Sequence, residues 1–249
     1  MRSAVPWSAP ARKRSARSFD SVIATLSPEG RKRAEELATQ YDLERWPALL
    51  TASELHEDLY LLDVLDQHLP TAPVRLPGLD VGSKNGANLP ALHAFAPRPW
   101  DLVELDAHRR YLDLSTRRAH GERMAAAYAG CRYVAGSVMG LEGHYGVVLW
   151  FLPFVEEGAL RAWGLPRRFF APRALFRHVL ARVAPGGVLL VVNQGEGERE
   201  AQRALFQELG AAPAELGLVQ SPLSRFHRPR WAFRWVRPPG WREPPATPG

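Results

Sequence analysis

An α/β fold built on a mostly parallel sheet is predicted for this chain by three observations. From Val74 onward, short apolar runs alternate with longer helical stretches, the signature of repeated βαβ units. The first of these runs ends in a glycine-containing turn that opens a helix, the place where α/β sheets hold nucleotide-like ligands. And 249 residues are enough for one good-sized core with a helical appendage.

The elements follow in order. Residues 1–18 (MRSAVPWSAPARKRSARS) mix Pro, Ser, Ala and Arg without hydrophobic periodicity, and they are expected to form a disordered basic tail. A helical cap is expected over 19–70. Ser27-Pro28-Glu29 opens a helix, with Ser27 as N-cap and Pro28 at the first position, running to about Tyr41. A second helix starts at Ser53, with Leu55, Leu59, Leu62, Leu65 and Leu69 at three- and four-residue spacing until Pro70 stops it. The main domain spans 71–237. Its strands are expected at 74–81, 100–105, 131–136, 146–151, 187–193, 214–220 and 230–236, with helices at 87–96, 107–128, 155–163, 172–184 and 196–210. The short link between the last two strands suits an antiparallel pair. The Arg-rich helix 107–128 reads as a solvated face, and residues 238–249 (PPGWREPPATPG) as a flexible tail.

Composition narrows the function classes. The apolar fraction of 46% and charged fraction of 23% are those of a globular protein. A net charge of +6 would suit an anionic partner, but the arginines are scattered through every segment instead of forming a stripe, so nucleic-acid binding is not expected. Cys131 is the only cysteine, which excludes an intrachain disulfide and a thiolate-rich metal site, and no metal is expected. No apolar run is long enough for a bilayer span and none reads as a signal peptide. A soluble, cytoplasmic protein is the expectation.

The chemistry-bearing segments come at the ends of the strands. Asp80-Val81-Gly82-Ser83-Lys84-Asn85-Gly86 joins the first strand to a helix. Glycines let the backbone turn sharply and approach a ligand, and the helix N-terminus offers free N–H groups to an anion. A structural turn needs the same residues, so the loop alone decides nothing. The second strand ends in Val103-Glu104-Leu105-Asp106, and Glu104 lies 18 residues beyond Gly86. An acid at about this distance is the expected partner of ribose hydroxyls. Glu104 and Asp106 compete for that role; Glu104 is favoured because Asp106 precedes a helix expected at Ala107 and suits an N-cap there.

Taken together, LDVGSKNG, VELDAHRR, CRYVAGSV, YGVVLWFLPF and LARVAPGGVLLVV resemble, in this order, the motifs of the class I, Rossmann-like S-adenosylmethionine (SAM)-dependent methyltransferases over Val74 to Arg237. The resemblance implies a doubly wound, mostly parallel seven-stranded sheet with helices on both faces and one antiparallel edge strand. It also implies SAM at the carboxyl ends of the first strands. Asp80, Gly82 and Gly86, with the intervening Ser83, Lys84 and Asn85, would then shape the methionine pocket; Glu104, or Asp106, would hold the ribose; Ser137 and Val138 would flank the adenine. Lys84 stands where the family usually has a glycine, and Ser137 where an aspartate often stands. Lys84 would either pair with the SAM carboxylate or crowd the pocket.

Acceptor chemistry is read from the exit of the fourth strand, Trp150-Phe151-Leu152-Pro153-Phe154. Base-amino methyltransferases resemble one another in placing Asn or Asp where this chain has Phe151, and cytosine-C5 chemistry needs a cysteine nucleophile near this loop. The expected acceptor is therefore a small molecule, aromatic or apolar, bounded by some of Trp150, Phe151, Phe154, Trp163, Phe169 and Phe170. His144, His178 and Glu156 are near by chain position, as is the polar turn from Asn193 to Glu198, but no catalytic residue is assigned. The competing readings are a noncatalytic SAM-fold binding module, a nucleotide-dependent oxidoreductase, which lacks the full G-x-G-x-x-G spacing, and an RNA or protein methyltransferase whose Arg225, Arg228, Arg230 and Arg234 hold RNA.

Overall fold

The computed structural model describes residues 19–69 and 75–242. The basic tail 1–18, the Pro70 helix stop, the first residue of the strand expected at 74–81 and the last seven residues of the chain lie outside them.

Four helices come first: α1 (Phe19–Ile23), α2 (Pro28–Gln40), α3 (Trp46–Leu49) and α4 (Ala52–His68). Ser27 caps α2 as expected, accepting a hydrogen bond from the Gly30 N–H at 3.1 Å. At α4 the cap is Thr51, ahead of the Ser53 start expected. Thr51 Oγ1 accepts from the Glu54 N–H at 3.3 Å while Glu54 Oε2 accepts from the Thr51 N–H at 2.9 Å, a reciprocal capping box. Leu55, Leu59, Leu62, Leu65 and Leu69 are buried as the spacing requires, but so are Asp58, Tyr60, Leu61, Asp63 and Val64. The helix is covered on more than one side because it packs between the other N-terminal helices and the sheet.

The sheet comprises β1 (Gly78–Val81), β2 (Trp100–Glu104), β3 (Arg132–Ala135), β4 (Tyr145–Phe151), β5 (Val183–Gln194), β6 (Ala214–Leu218) and β7 (Arg230–Val236). Their spatial order is β3-β2-β1-β4-β5-β7-β6. All pairings are parallel except those of β7, which runs antiparallel to both β5 and β6. The reversed strand was expected at the edge; it lies one place in, with β6 outside it. A short link from β6 lets the chain double back into the slot beside β5, where β7 forms a long ladder from Val188↔Val236 to Gln194↔Arg230.

Between the strands run α5 (Leu89–Phe95), α6 (Arg117–Ala126), α7 (Glu157–Ala162), α8 (Pro172–Arg182) and α9 (Gly195–Glu208). Strand side chains alternate between two cores. Leu102, Leu149, Leu190 and Val192 meet α4, α5 and α6 on one face; Val103, Val148, Leu189 and Val191 meet α8 and α9 on the other. The result is the doubly wound arrangement with helices on both faces that the sequence predicts. Truncating any of these fully buried leucines to alanine would cost about 2–5 kcal/mol.

The helix expected over 107–128 begins ten residues late. Thr116 caps it, accepting from the Ala119 N–H at 3.1 Å, and residues 107–116 form an irregular segment closed by an Arg110↔Thr116 bridge. Asp113 Oδ1 accepts from the Ser115 N–H at 3.0 Å, a turn that outcompetes helix at this point. Asp106 is therefore not an N-cap. The helix is not a wholly solvated face either, since Arg117, His120 and Gly121 are buried.

Helix α6 sits so close to β3 that a Cβ on Gly121 would fall 2.1 Å from the Tyr133 ring. Tyr133 in turn donates its hydroxyl to the Lys84 carbonyl. Gly121→Ala is expected to lower stability by about 1–3 kcal/mol despite alanine's better helix propensity, because the ring must move to admit the methyl group. Urea denaturation checks it; an alanine variant as stable as the parent would show that the helix and strand can separate freely.

Candidate functional site

The chain leaves β1, crosses outward through β2 to β3, and returns to the other side of β1 as β4, so the strand order reverses between β1 and β4. A crevice opens at the carboxyl ends of the strands at such a reversal. Here it is a cavity of about 630 Å³, within the range of small-molecule sites.

The loop after β1 forms one wall. Gly82, with φ at 78°, starts a turn whose Gly82 and Ser83 N–H groups both donate to the Val103 carbonyl. Lys84 holds a left-handed conformation, φ 53°, which costs a non-glycine residue about 1 kcal/mol or more. Its backbone is fixed on both sides: its N–H donates to Glu104 Oε2 at 2.8 Å and its carbonyl accepts from Tyr133. Gly86, φ 73°, abuts α6, where a Cβ would come 3.2 Å from the Gly121 Cα. Asn85 reaches back to α4, donating to Glu54 Oε1 at 2.9 Å.

Glu104 ends β2 with its carboxylate almost fully buried. Oε2 takes the Lys84 N–H and Oε1 takes the Asp106 N–H at 2.6 Å, with Arg117 3.8 Å from Oε1. Burial raises its pKa, opposed by those hydrogen bonds and by Arg117. Asp106 pairs with Arg109 and, at 3.3 Å, with Arg117. The same two guanidiniums stack on the Trp163 ring, 5.2 and 5.0 Å from its centroid. A charge cluster thus carries an aromatic wall of the cavity.

Of the residues singled out from sequence, Gly82, Lys84, Glu104, Ser137 and Val138 line the cavity. Asp80, Ser83, Asn85, Gly86 and Asp106 are not among its lining residues and stand behind them. Ser137 caps the 3-10 turn Val138–Gly140, accepting from the Met139 N–H at 3.2 Å. Trp150, Phe151, Phe154 and Trp163 line the cavity, whereas Phe169 and Phe170 do not. Glu156, Gln194 and Glu198 do; His144 and His178 do not. Arg225 and Arg234 are engaged elsewhere, with Thr25 and the His68 carbonyl, while Arg228 and Arg230 face the cavity. Sequence reasoning missed Glu57, Tyr60 and Leu61 of α4 and Phe226 of the β6–β7 link. Tyr60 and Phe226 meet edge to face at 5.1 Å, and both rings lie against the guanidinium of Arg230 at the start of β7.

No family model and no curated protein matches the sequence. Among solved structures, a methyltransferase from Pyrococcus furiosus superposes with a TM-score of 0.51 at 14% identity, covering 73% of this chain and 83% of its own. The likeness is one of fold: the chain shares the doubly wound α/β fold of that methyltransferase. The O-MT segment of StiE agrees, with a TM-score of 0.50 at 12% identity over 70% of this chain and 72% of that one. Within this methyltransferase fold, the cavity occupies the crevice at the reversal of strand order.

Asp80, at the end of β1, is a second buried carboxyl. Burial pushes it up to about 7, with the Glu104 charge adding and Asn88, which donates to it at 3.3 Å, subtracting. Its value in the unfolded chain is near 3.8, so the native state holds the proton more tightly. Stability from this group is full below pH 3.8, declines as pH rises toward about 7, and is level above, with a slope of at most about 1.4 kcal/mol per pH unit. Asp80→Asn is therefore expected to gain on the parent by about 1–3 kcal/mol between pH 4 and pH 8 in urea denaturation. Equal pH dependence in the two proteins would mean that Asp80 is ionised without penalty.

Proposed function

We propose that the chain is a SAM-dependent methyltransferase acting on a small molecule. The observation that carries the reading is the convergence of the Gly82–Lys84 loop and the buried Glu104 carboxylate on one cavity at the strand-order reversal.

The residues present fit the cofactor. A carboxylate offers about four acceptor positions, and the Lys84 and Asp106 N–H groups occupy two of those on Glu104, leaving capacity for ribose hydroxyls. Gly82 and Gly136 line the cavity with positive φ, and an added Cβ at either would meet nothing within 4 Å, so both leave open space on the ligand side. Leu105, Ser137 and Val138 flank the adenine end. Lys84, exposed at the opposite end, pairs with the amino-acid carboxylate, and Asn88, oriented by Asp80, lies beside it. SAM supplies an activated methyl group.

The protein's own contribution is orientation. Trp163 is held by Arg109 and Arg117, and Phe151 and Phe154 complete an apolar wall that keeps water from the reacting groups. Fixing an acceptor in line with the methyl group supplies about 7–11 kcal/mol in favourable systems, with no metal required. Phe151 at the exit of β4 favours a small acceptor over a nucleic-acid base.

Isothermal titration with S-adenosylhomocysteine, the demethylated product, tests the assignment. Saturable binding is expected, and Glu104→Gln should weaken it about 10- to 100-fold, since charge-assisted bonds to the ribose contribute roughly 1.5–3 kcal/mol. Absence of binding up to about 1 mM, or binding of NAD instead, would overturn the proposal.

A further inference from the structure

Arg230 opens β7 opposite Gln194, at the carboxyl end of β5, and alternation along β7 turns it with Ala232 and Arg234 toward α4. Only 8% of it is exposed, yet its Nε finds no hydrogen-bond partner. The guanidinium carbon sits 3.3 Å from the Phe226 ring centroid and 5.2 Å from that of Tyr60. Glu57 acts on it as a charge at longer range, and the Tyr60 hydroxyl is its polar neighbour. Several other cations among the described residues are paired with carboxylates: Arg33 with Asp63 and Asp66, Arg117 with Glu104 and Asp106, Arg132 with Asp101. A guanidinium taken out of water without a carboxylate is unfavourable, and ring contacts offset only part of that. The open side of Arg230 is the cavity, which it lines together with Arg228.

We propose that Arg230 anchors the acceptor by its carboxylate, so that the acceptor is a planar monoanion lying against Tyr60, Phe154 and Phe226. The word acceptor rests on the methyltransferase reading; the anion site itself does not. Arginine's planar fork matches a carboxylate in two parallel hydrogen bonds. A dianion such as a phosphate monoester is disfavoured because Glu57, Glu156 and Glu198 line the same end, and burial already raises the Glu198 pKa, with Glu156 adding to it. The ring walls select for planarity. A purely structural role, clasping α4 to β7, is already filled four residues along, where Arg234 donates to the His68 carbonyl at the end of α4 at 3.0 Å.

The test titrates the full-length protein, with and without S-adenosylhomocysteine, against benzoate, phenylacetate and cinnamate, their neutral amides, and phenyl phosphate. At least one carboxylate should bind saturably below about 1 mM, about tenfold or more tighter than its amide and tighter than phenyl phosphate. Arg230→Met should remove that preference while leaving S-adenosylhomocysteine affinity within about threefold and the melting temperature equal or higher, because an uncompensated charge leaves the interior. Arg230→Lys should fall between, keeping the charge without the fork. Amides binding as well as carboxylates, no carboxylate binding, or a lowered melting temperature in Arg230→Met with the preference retained would each overturn the proposal. Carboxylate binding that depends on Arg230 in a protein that ignores S-adenosylhomocysteine would keep the anchor and remove the methyltransferase reading.

Discussion

The Glu104 carboxylate is the point on which the rest of the site depends. It joins the end of β2 to the loop after β1 through the Lys84 N–H and to its own continuation through the Asp106 N–H. Lys84 can hold its left-handed turn because this bond and the one from Tyr133 leave the loop little alternative. Arg117, drawn in by Glu104 and Asp106, then supports Trp163, so one buried charge sets a polar wall and an aromatic wall together. Such a group is retained against its desolvation penalty only where several partners share it.

The cavity divides along its length. The β1–β2–β3 end is backbone-rich, with glycines, Glu104 and the Ser137 turn presenting fixed hydrogen-bonding groups. The β4–β5–β7 end is side-chain-rich, with aromatic rings, three carboxylates and two arginines. The first arrangement suits a single ligand held the same way each time, the second a substrate chosen by shape and charge. Three buried groups whose charged forms are disfavoured by burial, Asp80, Glu104 and Arg230, lie at or close to these walls.

Much of this was legible in the sequence where the signal is local. Short apolar runs marked all seven strands to within a few residues, because the central strands β1, β2, β4 and β5 are buried almost throughout and so read as continuous apolar stretches. The Gly82–Gly86 loop and Glu104 were legible because a fixed spacing brings the ends of β1 and β2 together. What failed was competition between short-range signals: Asp106 reads as an N-cap until the Asp113–Ser115 turn and Thr116 claim the helix start. The place of β7 inside β6 was hidden, since chain order does not state which neighbour a returning strand takes. Tyr60 was not singled out, and Arg230 reads only as one of four arginines that would hold RNA, for a further reason. They sit far apart in the chain and acquire meaning only when α4 folds across β7, one as a ring among leucines, the other as one arginine among many.

A crystal structure of the S-adenosylhomocysteine complex examines the central claim most directly. Both ribose hydroxyls should lie within about 3 Å of the Glu104 carboxylate, hydrogen-bond distance, with the Lys84 and Asp106 N–H groups still on it and the adenine beside Ser137 and Val138. A ligand seated elsewhere, or a Glu104 side chain that keeps both backbone bonds while touching nothing of the ribose, would contradict the account and leave Glu104 a purely structural brace.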